Sequence, residues 1–109
     1  MKKKKHYYVY MLRMENSNIY TGYTSDLKRR FQEHCSGKGG KYTRSFSPIK
    51  IARSWKVKGV RGTAMQVESY IKRKPKKMKE LFIAKPRELK KHISKELKYE
   101  FEVKVCKLK

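Results

Sequence analysis

Acidic residues are scarce in this chain: nine Asp and Glu stand against 31 Lys and Arg in 109 residues, for a formal net charge of +22. Solubility alone does not call for such an excess, and self-repulsion of this size opposes compaction. The balance points to a polyanionic partner, because each phosphate neutralised by Lys or Arg releases condensed counterions. Cysteine is almost missing. Cys35 and Cys106 make neither a disulfide framework nor a zinc pattern, and the adjacent pair His34-Cys35 lacks a second pair of ligands. Cys35 therefore reads as a small side chain on a helix in a reducing compartment. No stretch has the length and apolarity of a membrane span. The run Met1-Lys2-Lys3-Lys4-Lys5 leads into His6 and tyrosines rather than an apolar segment, so it is not read as a signal peptide. A cytoplasmic, nucleoid-associated location is expected, with an anionic membrane surface as the competing partner.

The length suits one domain with a modest core, and no internal repeat is visible. Residues 7–13 (YYVYMLR) are β-branched and aromatic and read as a strand; the polar turn Glu15-Asn16-Ser17-Asn18 follows, and residues 19–24 (IYTGYT) resume strand character. The two runs predict an antiparallel hairpin. Ser25 or Asp26 suits an N-cap, and Leu27, Phe31 and His34 recur at helical spacing up to Gly37. Residues 36–41 (SGKGGK) form a flexible basic loop. Pro48 then introduces a third strand over residues 49–57, with one wet face. Thr63 and Gln66 match a capping box, and Ala64, Val67 and Ile71 predict the buried stripe of a second helix. Pro75 predicts a break, Met78, Leu81 and Phe82 a renewed apolar face, and Pro86 the start of a helix to about Leu97. Alternation of Tyr99, Phe101, Val103 and Val105 with charged residues predicts a C-terminal strand. The expected architecture is α+β: a small three-stranded, mostly antiparallel sheet flanked by helices, with a helical and β C-terminal extension. A basic arm over residues 1–6 would precede the main domain over 7–85, and the extension over 86–109 would pack on it at the sheet edge or in a dimer contact.

The hairpin and the first helix bring unusual chemistry together. Tyr8 and Tyr10 share one face of the first strand, Tyr20 lies on its partner, and Arg30 and His34 are neighbours at i and i+4. The expectation is a cleft of phenols, a guanidinium and an imidazole. A guanidinium holds two phosphate oxygens through parallel donors and stays charged at any working pH. Attack on phosphorus builds charge on the non-bridging oxygens, so fixed positive groups aimed there lower the barrier. A phenol takes a proton from water once a neighbouring cation lowers its pKa. Glu68 stands out among the few acids, beside the apolar stripe of the second helix; Mg²⁺ is bound through one or two carboxylates plus phosphate and water, so one glutamate can suffice. Each residue alone has an ordinary explanation: tyrosines in a sheet, a solvated Arg30, a surface His34, a Glu68–Lys72 pair at i and i+4. Only the joint arrangement favours a site.

Tyr8-Val9-Tyr10, then Tyr20-Thr21-Gly22, then residues 26–30 (DLKRR) with His34, then Glu68, resembles the GIY-YIG nuclease superfamily. The similarity is to its small stand-alone members and to the catalytic domain of structure-specific endonuclease subunits acting on branched DNA. It covers residues 7–83, with Tyr8 replacing the glycine of the first element and Thr21 the isoleucine of the second. By position it assigns catalytic roles to Tyr10, Tyr20, Arg30, His34 and Glu68, with Gly22 in the second element. It implies a tyrosine as general base, the arginine steadying the transition state, and the glutamate anchoring one divalent metal, Mg²⁺ or Mn²⁺. Hydrolysis of DNA in repair or recombination, leaving a 5′-phosphate and a 3′-hydroxyl, is the implied activity.

The remaining charge provides candidate phosphate contacts at Lys2 to Lys5, Arg53, Lys56, Lys58 and Lys72 to Lys79. The residues expected to touch nucleic acid are Tyr8, Lys38, Lys41, Tyr42, Arg44, Arg61 and Lys72. Such contacts position a backbone without reading its sequence. Tyr42 and Phe46 suit stacking on unpaired bases or partial burial. No element resembles a base-reading helix, so branched, nicked or single-stranded DNA is the expected substrate, bound by a monomer or weak homodimer with a protein partner for targeting. The competing readings are a non-catalytic basic nucleic-acid-binding module of the same fold and, further off, a membrane-surface or ribosome-associated basic protein.

Overall fold

The computed structural model describes residues 6–38 and 45–107. The predicted hairpin is present as β1 (His6–Met14) and β2 (Ile19–Thr24), antiparallel and in register with Tyr10 opposite Gly22 and Leu12 opposite Tyr20. Only Ser25 and Asp26 separate β2 from α1 (Leu27–Cys35), and the Asp26 carboxylate accepts from the Arg29 amide at 3.2 Å, capping the helix. β3 (Pro48–Lys58) lies on the other side of β1, also antiparallel, with a register shift between Met11 and Leu12.

The second helix, α2 (Arg61–Lys72), starts earlier than the capping-box pattern implies. Val60 occupies the cap position and Thr63 lies inside the first turn. The cause is Gly59, whose φ of +132° turns the chain sharply enough for the helix to begin at once. The break at Pro75 is where expected: α2 ends at Lys72 and α3 (Lys76–Ala84) begins directly after the proline, which lacks the N–H that a continuing helix needs. α4 (Glu88–Leu97) follows Pro86 and closes on Lys98 in the left-handed region at φ 52°.

The sheet has four antiparallel strands among the described residues, in the order β2-β1-β3-β4, rather than the three expected of the main domain. The fourth, β4 (Val103–Val105), pairs with the outer side of β3, so the C-terminal extension completes the sheet. It is shorter than the alternating pattern suggests. The Tyr99 amide donates to the Ser94 carbonyl at 3.2 Å and the Phe101 amide to the Ser94 hydroxyl at 3.2 Å. The end of α4 thus takes the backbone donors that a longer strand would need for its ladder.

The sheet separates two apolar layers. On one face Val9, Met11, Trp55 and Val57 pack with Ala64, Val67, Tyr70 and Ile71 of α2, Phe82 of α3 and Leu89 and Ile93 of α4. The predicted α2 stripe is therefore buried, as its spacing requires. Polar ties fix this layer: Trp55 Nε1 donates to the Pro86 carbonyl at 2.9 Å, and Tyr70 Oη to Glu96 at 2.7 Å. On the other face Tyr10, Leu12 and Met14 pack with Tyr20, Ile51 and the α1 residues Leu27 and Phe31. A strand sandwiched in this way holds its side chains rigidly on both sides, and β1 carries Tyr10.

Candidate active site

Tyr10, Tyr20, Gly22, Arg30 and Glu68 line one open pocket of about 370 Å³. Tyr10 and Gly22 are cross-strand partners, and Tyr20 sits diagonally from Tyr10 with the rings 6.4 Å apart. Because α1 follows β2 after two residues, its first turns bring Arg30 over the same strands. Glu68 comes from α2 on the opposite sheet face, yet lines the same pocket. This is geometrically feasible because β2 is the outermost strand: the pocket draws on side chains from both faces and opens across the sheet edge.

Gly22 permits the central contact. A Cβ built at this position would lie 2.5 Å from the Tyr10 hydroxyl oxygen and 2.8 Å from Cζ, so the Tyr10 ring occupies the space a side chain would take. The Tyr10 hydroxyl is 2.8 Å from His34 Nε2, and both residues are fully buried, at 1% and 0% exposure. Tyr20 meets the same imidazole edge-on with centroids 5.1 Å apart. His34 is therefore neither on the helix surface nor in the pocket lining. It stands behind the two phenols and fixes their positions.

The electrostatics follow from this burial. Desolvation and the neighbouring Tyr20 push the Tyr10 phenol up to about 12, against the pull of the Arg30 guanidinium. Desolvation, with Arg30 close by, holds the His34 imidazole below its ordinary value, while Glu33 works weakly the other way. Burial opposes the charge on Arg30, yet hydrogen bonds to Glu33 and Tyr10 lift its pKa above the ordinary guanidinium value. Tyr10 is therefore protonated and His34 neutral at pH 7. With a donor-only guanidinium on its oxygen, the phenol gives its proton to Nε2, which assigns the imidazole proton to Nδ1. For stability the sign is definite. The folded state binds the His34 proton more weakly than the unfolded chain, so the contribution is complete above the unfolded value of 6.5 and lost as pH falls through the lower folded value. The unfolding temperature, followed by circular dichroism, is expected to drop as the pH falls below the unfolded value of 6.5, and to drop less in a His34→Phe variant over the same interval.

Of the residues expected to contact nucleic acid, Arg61 lines the pocket, its Nε donating to the Tyr23 hydroxyl at 2.9 Å. Lys72 sits in an adjoining cleft and reaches Glu68 at 3.6 Å. Tyr8 lies outside the pocket, edge-on to His6 with ring centroids 5.5 Å apart. Lys38 is exposed beyond α1, and Lys41, Tyr42 and Arg44 lie outside the described residues. Six lining residues escaped the sequence reading: Tyr7, Tyr23, Thr24, Ser25, Arg29 and Glu33. Strand alternation puts Tyr7 and Tyr23 on the face away from Tyr10, and only a pocket that wraps the sheet edge recruits them. Arg29 and Glu33 share the helix surface with Arg30, and Glu33 pairs with both arginines, at 3.8 and 3.0 Å.

The donor set suits a hard divalent cation held with the help of a ligand. Glu68 is 18% exposed at its side chain and faces an open pocket, and among the described residues no cluster of three or more His, Cys, Asp or Glu could hold a metal ion. A single carboxylate leaves the other oxygen positions to water and substrate phosphate, which is how Mg²⁺ is commonly bound.

Comparison with known proteins shows the family to which the chain belongs. The GIY-YIG catalytic domain matches residues 6–81. The chain is 48% identical over 80 residues to the UPF0213 protein FN1575 of Fusobacterium nucleatum, covering 73% of this chain and 79% of that protein. It is 42% identical over 78 residues to the UPF0213 protein H16_B0156 of Cupriavidus necator, covering 72% and 84%. The solution NMR structure of the UPF0213 protein BH0048 from Bacillus halodurans is similar at 37% identity and a TM-score of 0.47, over 72% of this chain and 83% of that one. The matched span runs from the first residue of β1 into α3 and takes in Tyr10, Tyr20, Arg30, His34 and Glu68, and the chain belongs to the GIY-YIG family.

Proposed function

We propose that this protein is a metal-dependent endonuclease that hydrolyses phosphodiester bonds of DNA, in repair or recombination. The observation that supports this reading most is the convergence of Tyr10, Tyr20, Arg30 and Glu68, far apart in sequence, on one open pocket. In this reading the scissile phosphate lies in the pocket with Arg30 donating to a non-bridging oxygen, where charge grows in the transition state. Glu68 would hold Mg²⁺ or Mn²⁺, which would supply Lewis-acid chemistry at the site. Tyr20, half-buried at the pocket wall, acts as the phenolate, its own proton having passed to solvent, and takes the proton of the attacking water, while the departing 3′-oxygen is protonated from solvent. Tyr10 keeps its own proton, since its pKa is about 12, and with His34 sets the positions of Tyr20 and Arg30. Replacing Tyr20 by phenylalanine is expected to slow cleavage by about 10²–10⁴-fold, and Tyr10→Phe by less.

The deciding experiment is cleavage of nicked, branched and single-stranded oligonucleotides with Mg²⁺ or with EDTA, by wild type and by Glu68→Ala. Wild type should cut only with metal. Glu68→Ala should lose cutting and still bind the oligonucleotides in EDTA. Metal-dependent cutting that persists in Glu68→Ala would refute the assigned site, and a wild type that binds but never cuts would establish the non-catalytic module instead.

A further inference from the structure

A second cleft, of about 420 Å³, lies against β2 beside the pocket, and Tyr20 lines both. Its far wall is cationic: Lys72 from the end of α2 and Lys76 and Lys79 from the start of α3. The break at Pro75 splays these two helix ends so that lysines from both meet over one strand. On the strand itself is Thr21, 3% exposed, whose hydroxyl is buried and has no hydrogen-bond partner among the described residues. A buried, unsatisfied hydroxyl costs free energy, on the order of 1–3 kcal/mol. It shares its cleft with three lysines, whose charge would draw in an anionic oxygen to which the hydroxyl could donate.

The two clefts are also linked electrostatically. Lys72 lines this one, while its Nζ lies 3.6 Å from the carboxylate of Glu68 in the other. Lys76 is held toward the strand by donating to the Ser17 carbonyl at 2.9 Å, which keeps its charge at the mouth of the cleft.

We propose that the cleft lined by Thr21, Tyr20, Lys72, Lys76 and Lys79 holds the phosphodiester next to the scissile one on the cleaved strand, an inference that rests on the nuclease reading of the neighbouring pocket. Lysine ammonium groups, with three rotatable donors each, follow a backbone phosphate without selecting a base. The buried hydroxyl adds a fixed donor that a diffuse basic surface does not have. A strand seated there would pass Tyr20 and present the next phosphate to Arg30, so the cleft sets the register of cutting as well as adding affinity.

The test is binding of a fluorescently labelled single-stranded oligonucleotide to the full chain by anisotropy, in EDTA, over a range of salt. A Lys76→Ala/Lys79→Ala variant is compared with Lys90→Ala/Lys104→Ala, which removes the same charge from a basic cleft at the β4 end of the sheet. The first double variant is expected to lose about tenfold in affinity and to reduce the slope of log affinity against log salt by about 1.4, the value for two lost contacts to a single strand. The second is expected to lose about twofold or less. Thr21→Val, nearly isosteric, should weaken binding by several-fold while leaving the unfolding temperature unchanged or raised. Equal losses in the two double variants, or wild-type binding by Thr21→Val, would overturn the proposal. Failure of the nuclease reading is a separate outcome: no cleavage by wild type, with these binding differences intact.

Discussion

Arg30→Ala is expected to lower single-turnover cleavage by about 10²–10³-fold with only a small loss of binding. The asymmetry follows from where the charge develops. Arg61 and Arg29 also line the pocket, so a ground-state phosphate bound there would have other cations to draw on. Transition-state charge on the non-bridging oxygens needs a donor fixed in advance, and Arg30 is the guanidinium held between Glu33, at 3.0 Å, and the Tyr10 hydroxyl. An interaction made mainly in the transition state lowers kcat and kcat/KM together and leaves KM nearly unchanged. The fold should survive: the Arg30 side chain is 34% exposed, and Glu33 keeps a partner in Arg29. Arg30→Lys should recover little, because an ammonium lacks the planar fork that spans two oxygens. Circular dichroism checks the fold, and anisotropy in EDTA checks binding. A variant that binds poorly but turns over bound DNA at the wild-type rate would make Arg30 a phosphate anchor and remove it from the chemistry.

Much of this arrangement was legible before any coordinates, for reasons that are local. The register of the hairpin follows from strand alternation and a short polar turn. Asp26 caps the helix that follows, so Tyr20 and Arg30 are separated by one tight connection, and their proximity is nearly forced. Pro75 breaks a helix wherever it stands. What could not be read depended on distant parts of the chain. The start of α2 was misplaced because Thr63 and Gln66 make a plausible cap by themselves, whereas the positive φ of Gly59 had already turned the backbone. The last strand was drawn too long because alternation is blind to the Ser94 carbonyl and hydroxyl that capture its first donors. Tyr7 and Tyr23 do not stand out in the sequence as lining residues, because period-two logic treats a sheet as two faces, and a pocket at an edge strand has access to both. Glu68 was identified from its isolation in an apolar stripe and from the family resemblance, since nothing in α2 alone shows that it would reach around β2. The unsatisfied hydroxyl of Thr21 has no sequence signature.

Gly22→Ala is expected to be strongly damaging, and Gly62→Ala to be harmless or stabilising. Both replace a hydrogen by a methyl, and neither glycine has a positive φ, so backbone strain does not separate them. Space does. At Gly62, in the first turn of α2, nothing lies within 4 Å of the built Cβ, and alanine should add up to about 1 kcal/mol through its higher helix propensity. At Gly22 the Cβ would fall 2.5 Å from the Tyr10 oxygen and 2.8 Å from Cζ, well inside contact distance. Tyr10 has no room to yield: it is buried in the α1 layer, with His34 on its hydroxyl at 2.8 Å and the Tyr20 ring 6.4 Å away. Relief requires either parting β1 from β2 at the centre of their ladder or swinging the phenol away from His34 and Arg30. Overpacking of this kind costs about 1–3 kcal/mol, which lowers the unfolding temperature of a domain this size by about 5–20 °C. Cleavage should fall further than stability alone accounts for, because the displaced phenol is the group that orders Arg30 and Tyr20. Adding Tyr10→Phe to Gly22→Ala removes the nearer contact and leaves the ring carbon, so stability should return in part while cleavage does not. Gly22→Ala and Gly62→Ala proteins with equal unfolding temperatures would mean that the Tyr10 ring does not lie over β2, and the geometry on which the catalytic assignment rests would have to be abandoned.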